Sequence, residues 1–260
     1  MVLTIENLNV GFEQYTSFFK KRIVHVVHDL NLEVKESEVL AIFGASGSGK
    51  SLLAHAILKL LPYNSIVTGK VEYKGKELTH ERLKRLYGNQ ISFIPQTVNS
   101  LNPLLKVGRQ SELTADKKDV ERVYKKFGLS EETLGLYPHE LSGGMLRRVL
   151  VSNSILSGAR LIIADEPTPG LDKNSIETII KYFRSLKSQG KTAVIITHDI
   201  EMALRCADRI AFFYDGTIIE VVEACELDSY GTNLTHPYSR ALFRALPENG
   251  FNPVREGDLC

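Results

Sequence analysis

Cysteine is scarce in this sequence. Cys206, Cys225 and Cys260 are far apart, odd in number and form no CxxC pair. That excludes a disulfide framework and a cysteine zinc site, and leaves reduced thiols as the expectation. An excess of either charge is also missing: 32 Lys and Arg against 31 Asp and Glu leave a net charge of +1. No global basic field draws the chain to nucleic acid, and no acidic tail solvates it. Long apolar runs are absent too, none approaching the roughly 18 residues that a membrane-spanning helix requires. The opening MVLTIENLNVGF lacks the charged start and apolar centre of a secretory leader. Any work at a membrane would therefore require docking onto other subunits. No internal repeat, low-complexity tract or heptad pattern is apparent.

What is present is an ordinary globular balance, 43% hydrophobic and 24% charged over 260 residues. That is enough for one α/β domain with an appended subdomain. Short apolar runs at Val39 to Phe43, Ile91 to Ile94, Leu161 to Ala164 and Ala193 to Thr197 predict buried strands of a mostly parallel sheet. Helical patterns alternate with them. Ile176, Ile179, Ile180, Phe183 and Leu186 share one face of a helix that Gly190 stops. Leu3 to Val10 and Val24 to Val34 alternate and predict antiparallel strands, with Phe12 to Arg22 expected as the loop between them. From Thr97 to Glu140, Asn, Pro and Gly punctuate helical pieces, which predicts a small helical insertion. Asp215-Gly216 marks a hairpin between Arg209 to Asp215 and Thr217 to Val222. A short helix around Ser239 to Leu246 and a loose tail are expected last.

Gly44-Ala45-Ser46-Gly47-Ser48-Gly49-Lys50-Ser51 fits the phosphate-loop pattern GxxxxGK[ST] between a predicted strand and a helix expected to reach Leu61. A match somewhere in the chain by chance has odds of about 1 in 100 at ordinary residue usage. Glycines let the backbone wrap phosphates, N–H groups at the helix start face them, and Lys50 neutralises their charge. Ser51 offers a hydroxyl to Mg²⁺. Asp165 and Glu166 end another buried strand, where an acid near the loop can serve Mg²⁺ and a second can polarise water. A solvated Asp-Glu turn is the bland alternative, and the phosphate loop makes it the poorer one.

Leu141-Ser142-Gly143-Gly144-Met145 precedes Asp165 and resembles the signature motif of ATP-binding-cassette proteins. The resemblance implies that Ser142, Gly143 and Gly144 contact the γ-phosphate held by the other protomer of a dimer. Gln96 resembles the Q-loop glutamine that senses Mg²⁺ and γ-phosphate, His198 the switch histidine, and Asp172 the D-loop residue at the dimer interface. Phe12 is expected under adenine, with Tyr15 as its rival. Met145 and Pro169-Gly170 depart from the commoner family residues without removing a phosphate contact.

The implied fold is α/β: a phosphate-loop cassette with a RecA-like mixed-sheet core, an antiparallel β subdomain and a helical subdomain. Residues 1–96 and 146–225 would form the nucleotide-binding core, 97–145 the helical subdomain with the signature, and 226–260 the C-terminal helix and tail. Ser100-Leu101-Asn102-Pro103, Tyr137-Pro138-His139-Glu140 and the segment from His236 to Leu242 resemble the oligopeptide, dipeptide and nickel uptake branch. That branch implies ATP and Mg²⁺ as cofactors, an unlike ATPase partner, two permeases and an extracellular binding protein. It also implies the cytoplasmic face of the membrane, and peptides or metal chelates as cargo. A cysteine-containing tail usual in the branch is not matched at Cys260, so no tail-bound metal is expected. The rival is a non-transport cassette such as an iron–sulfur assembly ATPase. DNA-maintenance cassettes carry a long coiled coil, whereas only about 90 residues without heptads separate Lys50 from Ser142.

Overall fold

Val39–Phe43, Leu161–Asp165 and Thr192–Thr197 are buried along their whole length, as strands covered on both faces must be. They are the centre of a computed structural model that describes residues 1–17, 20–227 and 231–246. The elements begin with β1 (Leu3–Ser17), β2 (Lys20–Val34), β3 (Val39–Phe43), α1 (Lys50–Ile57), β4 (Ser65–Tyr73), β5 (Lys76–Glu77), α2 (His80–Leu86) and β6 (Ile91–Ile94). They continue with α3 (Val107–Ser111), α4 (Lys117–Lys126), α5 (Gly143–Leu156), β7 (Leu161–Asp165) and α6 (Lys173–Ser188). The last are β8 (Thr192–Thr197), α7 (Ile200–Cys206), β9 (Arg209–Tyr214), β10 (Thr217–Glu223) and α8 (Pro237–Arg244).

Six strands form one sheet in the order β10-β9-β3-β8-β7-β6, parallel except where β10 turns back on β9 through Asp215-Gly216. Its register decides where chemistry can occur. Ile94 lies opposite Ala164, Ala164 opposite Ile195, and Ile195 opposite Ala41. The segments after β6, β7, β8 and β3 therefore leave one edge together, and the carboxyl edge of a parallel sheet is where ligands bind. A second, antiparallel sheet has the order β2-β1-β4-β5. Leu3, Ile5, Leu8 and Val10 from it share a core with Leu40, Ile42, Leu53 and Ile57.

The two sheets meet at a glycine. His28 N–H donates to the Gly216 carbonyl at 3.1 Å. Gly216 has φ +80°, and a Cβ there would come within 2.5 Å of the Val26 carbonyl. Only glycine satisfies both demands.

Two expectations need correction. Phe12 to Arg22 is not a loop: β1 and β2 run through it, with Phe12 opposite Val24 and Gln14 opposite Arg22. That ribbon carries Glu13, Gln14, Lys21 and Arg22, so no apolar alternation reveals it, and Lys21 pairs with Glu13 across it at 2.7 Å. The helix after the phosphate loop stops at Ile57 rather than Leu61. Lys59 adopts φ +53°, while its N–H reaches the Ala56 carbonyl and Leu60 N–H reaches the His55 carbonyl. This is a left-handed helix stop made without glycine.

The insertion after β6 has its own core of Leu101, Val107, Val120, Tyr124, Leu129, Leu141, Val149 and Leu150. Helix α5 serves two cores at once, since its Val151 packs with β7 and α6 instead. Helix α8 begins at Pro237 behind a cap in which His236 accepts the Tyr238 N–H. Tyr238 stacks on Tyr214 with ring centroids 3.6 Å apart, fastening α8 to β9. The Cys206 thiol is pushed up to about 12 by burial, as befits an inert core residue. Cys225 is exposed and unpaired by disulfide. The tail beyond residue 246, Cys260 included, lies outside the described residues. Among the described residues no helix is long and apolar enough to cross a membrane.

Candidate functional site

The glycine-rich loop leaves β3 and ends at Gly49, whose φ of +100° opens α1. Few side chains tolerate that angle, so the glycine sets the loop's closure. Lys50 folds back into the loop, donating to the carbonyls of Gly44 at 2.8 Å and Ala45 at 2.6 Å. It is only 4% exposed. Burial lowers its pKa, opposed by the nearby Glu166 and Asp165 carboxylates. Ser46, Gly47 and Ser48 form the loop's outer turn, where Ser48 N–H donates to the Ala45 carbonyl. Next to Lys50, Ser51 Oγ donates to Asp165 Oδ1 at 3.0 Å.

Asp165 is the last residue of β7 and fully buried. Burial raises its pKa, against the stabilising bond from Ser51. Its second oxygen, Oδ2, and Glu166 Oε2 are both buried without a hydrogen-bond partner. Glu166 takes φ +47°, unusual for a residue with a side chain, and its N–H is pinned on the Ile196 carbonyl at 2.9 Å. Its other oxygen, Oε1, lies 2.7 Å from His198 Nδ1. The Glu166 side chain is 7% exposed and that of His198 52%, so the histidine stands between a buried carboxylate and solvent. Asp199 fixes the turn after His198: its N–H donates to Thr197 Oγ1 and its carboxylate caps α7 through Met202 N–H.

Lys50, Ser51, Asp165, Glu166 and His198 thus come together at one sheet edge. Some of the remaining expected residues form a second group. Ser142 caps α5, accepting the Met145 N–H at 3.3 Å. Gly143, Gly144, Gln96 and Pro169-Gly170 line one cleft of about 590 Å³. A methyl group on Gly144 would lie 3.1 Å from the Gly170 carbonyl, so the signature and the segment after Glu166 are neighbours within the chain. Asp172 caps α6, and Ser175 holds its carboxylate below the usual range through bonds at 2.7 and 3.0 Å. Phe12 is half-buried and packs against the core under the antiparallel sheet. The side chain of its rival Tyr15 lies outside the described residues.

One residue escaped the sequence reading. Arg147 of α5 is 7% exposed. Its guanidinium donates to the carbonyls of Pro95 (3.0 Å), Gln96 (2.5 Å) and Glu166 (3.0 Å). Burial lowers its pKa, while Asp165 and Glu166 act the other way. The available signal was its helical stripe: Arg147 shares a face with buried Val151 and Ser154, an odd place for a cation without partners.

The donor set suits a magnesium nucleotide. Among the described residues no group of three or more His, Cys, Asp or Glu side chains could hold a metal ion by itself. A serine hydroxyl and a carboxylate with one bare oxygen instead match an ion that relies on phosphate oxygens and water for its remaining ligands.

A family model described as ABC transporter matches residues 27–169. The oligopeptide transport ATP-binding protein OppD of Haemophilus influenzae is 35% identical over 263 residues, 95% of this chain and 79% of its own. The dipeptide transport ATP-binding protein DppD of Caldanaerobacter subterraneus is 32% identical, over 95% of this chain and 78% of its own. Among solved structures, a dimeric ATP-binding cassette in a post-hydrolysis state with ADP and Pi superposes with a TM-score of 0.74. It has 28% identity and covers 85% of this chain and 98% of that one. A phosphate loop beside a buried Asp-Glu pair, a family model over more than half of the chain and relatives matching nearly all of it agree: this chain belongs to the ABC transporter family, as a nucleotide-binding, ATP-hydrolysing subunit of its oligopeptide and dipeptide branch.

Proposed function

We propose that the chain drives import of peptides through a membrane transporter, by binding and hydrolysing Mg-ATP at a site completed by a second ATPase subunit. The observation that carries this is the pairing of buried Glu166 with half-exposed His198 beside Lys50, Ser51 and Asp165. The loop from Gly44 to Gly49 cradles the phosphates and Lys50 neutralises them. Ser51, Asp165 and Gln96 hold the Mg²⁺, which supplies charge neutralisation at the phosphates when bound. Glu166 takes the proton of the attacking water, and His198 holds the carboxylate by its Oε1 and faces the γ-phosphate. Phe12 stacks under adenine.

Ser142, Gly143, Gly144 and Asp172 serve the partner's nucleotide, which accords with their place at helix starts: Ser142 caps α5, Gly143 and Gly144 open it, and Asp172 caps α6. Residues 1–96 and 146–225 act as the nucleotide core, 97–145 as the docking and signature subdomain, and 226–260 as an accessory end. A groove of about 490 Å³ receives a permease's cytoplasmic helix. It is lined by Leu60, Tyr87, Phe93, Asn102, Leu105 and Leu113. Pro95, the residue before Gln96, also lines it, so a change at the phosphate passes to the membrane subunits as rigid-body movement. The partners are an unlike ATPase, two permeases and an extracellular binding protein, with this chain on the cytoplasmic face. The iron–sulfur assembly alternative is not favoured, because the named relatives are transport proteins.

The test is ATP-dependent peptide accumulation in vesicles carrying the assembled transporter. Co-purification with permeases and peptide uptake support the proposal. Co-purification with assembly-scaffold proteins and no uptake would overturn it.

A further inference from the structure

We propose that Arg147 is a positioning residue for hydrolysis, locking the Gln96 segment and the backbone of Glu166 onto the helix that presents Ser142. The proposal rests on the reading of Glu166 as the base of an ATPase. Three hydrogen bonds carry it, each to a main-chain carbonyl. Pro95 and Gln96 follow β6, Glu166 follows β7, and Arg147 stands in the first turns of α5. One side chain therefore ties together three segments that no backbone ladder joins at this point.

Glu166 shows why the tie matters. Its left-handed backbone persists only if its surroundings hold it. On one side its N–H is fixed to the Ile196 carbonyl of β8, and on the other its carbonyl accepts from Arg147. Both flanks of the residue are pinned, and the side chain is aimed at His198. Without Arg147 the carbonyl side is loose, and so is the aim of Oε1. The same guanidinium holds the Gln96 carbonyl, so movement of α5 shifts the Gln96 segment and the glutamate together.

An arginine suits this task and a lysine does not. The planar fork reaches separate carbonyls from fixed nitrogens, whereas an ammonium is a single mobile point charge. Lys50 and Ser51 take no part in the tie, and it reaches Gln96 only at the main-chain carbonyl, so phosphate binding by the loop is separable from it.

The experiment compares wild type, Arg147→Lys and Arg147→Met, each as the full chain in its transporter complex. ATP turnover, KM, fluorescent-nucleotide affinity and melting temperature are measured. The expected result is a kcat at least about 10-fold lower in Arg147→Lys and lower still in Arg147→Met, the scale set by small misplacements of catalytic groups. KM and affinity should stay within about 2-fold, as the phosphate loop is unaltered. If Arg147→Met does not fold, the lysine variant decides alone. A lysine variant that melts earlier yet keeps its kcat would reduce Arg147 to a brace of the fold and overturn the proposal. So would KM and affinity worsening in step with kcat. A wild-type complex without ATP turnover would instead sink the underlying ATPase reading, which the variants' mutual comparison does not touch.

Discussion

Replacing Glu166 by Gln separates chemistry from binding in a way the geometry makes quantitative. A positioned general base contributes roughly 10²- to 10⁴-fold, or about 2.7 to 5.4 kcal/mol of barrier at 1.36 kcal/mol per tenfold. Nothing else at the site should change by a comparable amount. Glutamine has the same shape and meets the same φ of +47°, so backbone strain is equal in both proteins. Its amide can still reach His198 Nδ1, now 2.7 Å from Oε1. The substitution also removes one of two adjacent buried carboxylates, so melting temperature should hold or rise. The expected protein binds ATP as wild type does, turns over at least about 100-fold more slowly, and accumulates as a nucleotide-locked dimer. Turnover kinetics, size exclusion with ATP and Mg²⁺, and thermal melting test each part. Turnover within about threefold of wild type, in a normally folded protein, would show Glu166 to be a bystander and refute the argument.

Lys50→Ala should abolish tight ATP binding, since the loop loses its one phosphate-facing cation; unchanged affinity by calorimetry would remove this loop from the site. Asp165→Asn should lose hydrolysis yet melt a few degrees higher above neutral pH, because burial raises the Asp165 pKa. A raised carboxylate binds more protons folded than unfolded, so its charge destabilises fully above the raised pKa and is relieved as pH falls through it. The melting gap should therefore close toward acid, and a gap that widens there would contradict the burial argument. Leu105→Glu with Leu113→Glu should leave ATP affinity normal and halt uptake; both leucines line the groove and are 38% and 76% exposed, where substitutions cost about 0.5 kcal/mol or less. Normal uptake would dismiss the groove as a docking surface.

The sequence made the parallel strands legible because burial on both faces leaves uninterrupted apolar runs at Val39–Phe43 and Thr192–Thr197. The residues beside the phosphate loop were legible for a related reason: they follow those runs directly, as Glu166 follows β7 and His198 follows β8. The extended ribbon of β1 and β2 was not, since Gln14, Lys21, Arg22 and Ile23 are exposed and the strands are held by main-chain pairing that no side-chain pattern encodes. The stop of α1 was hidden too, because Lys59 adopts the angle usually signalled by glycine. Arg147 was missed for a different reason. Its partners are carbonyls, which every residue carries, so nothing in the identities of Pro95, Gln96 or Glu166 announces them. The long-range register that brings Ser51 against Asp165 could be read only once the strand order was known.

The joint at Gly216 reverses an ordinary rule of protein engineering. Hairpin tips tolerate insertions because they project into solvent and touch little. The tip between β9 and β10 instead supplies the carbonyl that holds His28 and has no room for even a methyl group against Val26. A peptide tag or reporter placed there would pry the antiparallel sheet from the parallel one. The turn at Lys74-Gly75, between β4 and β5, is the better site: an insertion that keeps Gly75 at its φ of +65° meets open space, with nothing within 4 Å of where a Cβ would stand. Two turns of similar length and composition thus differ entirely in what they permit, and only the packing of one sheet on the other distinguishes them.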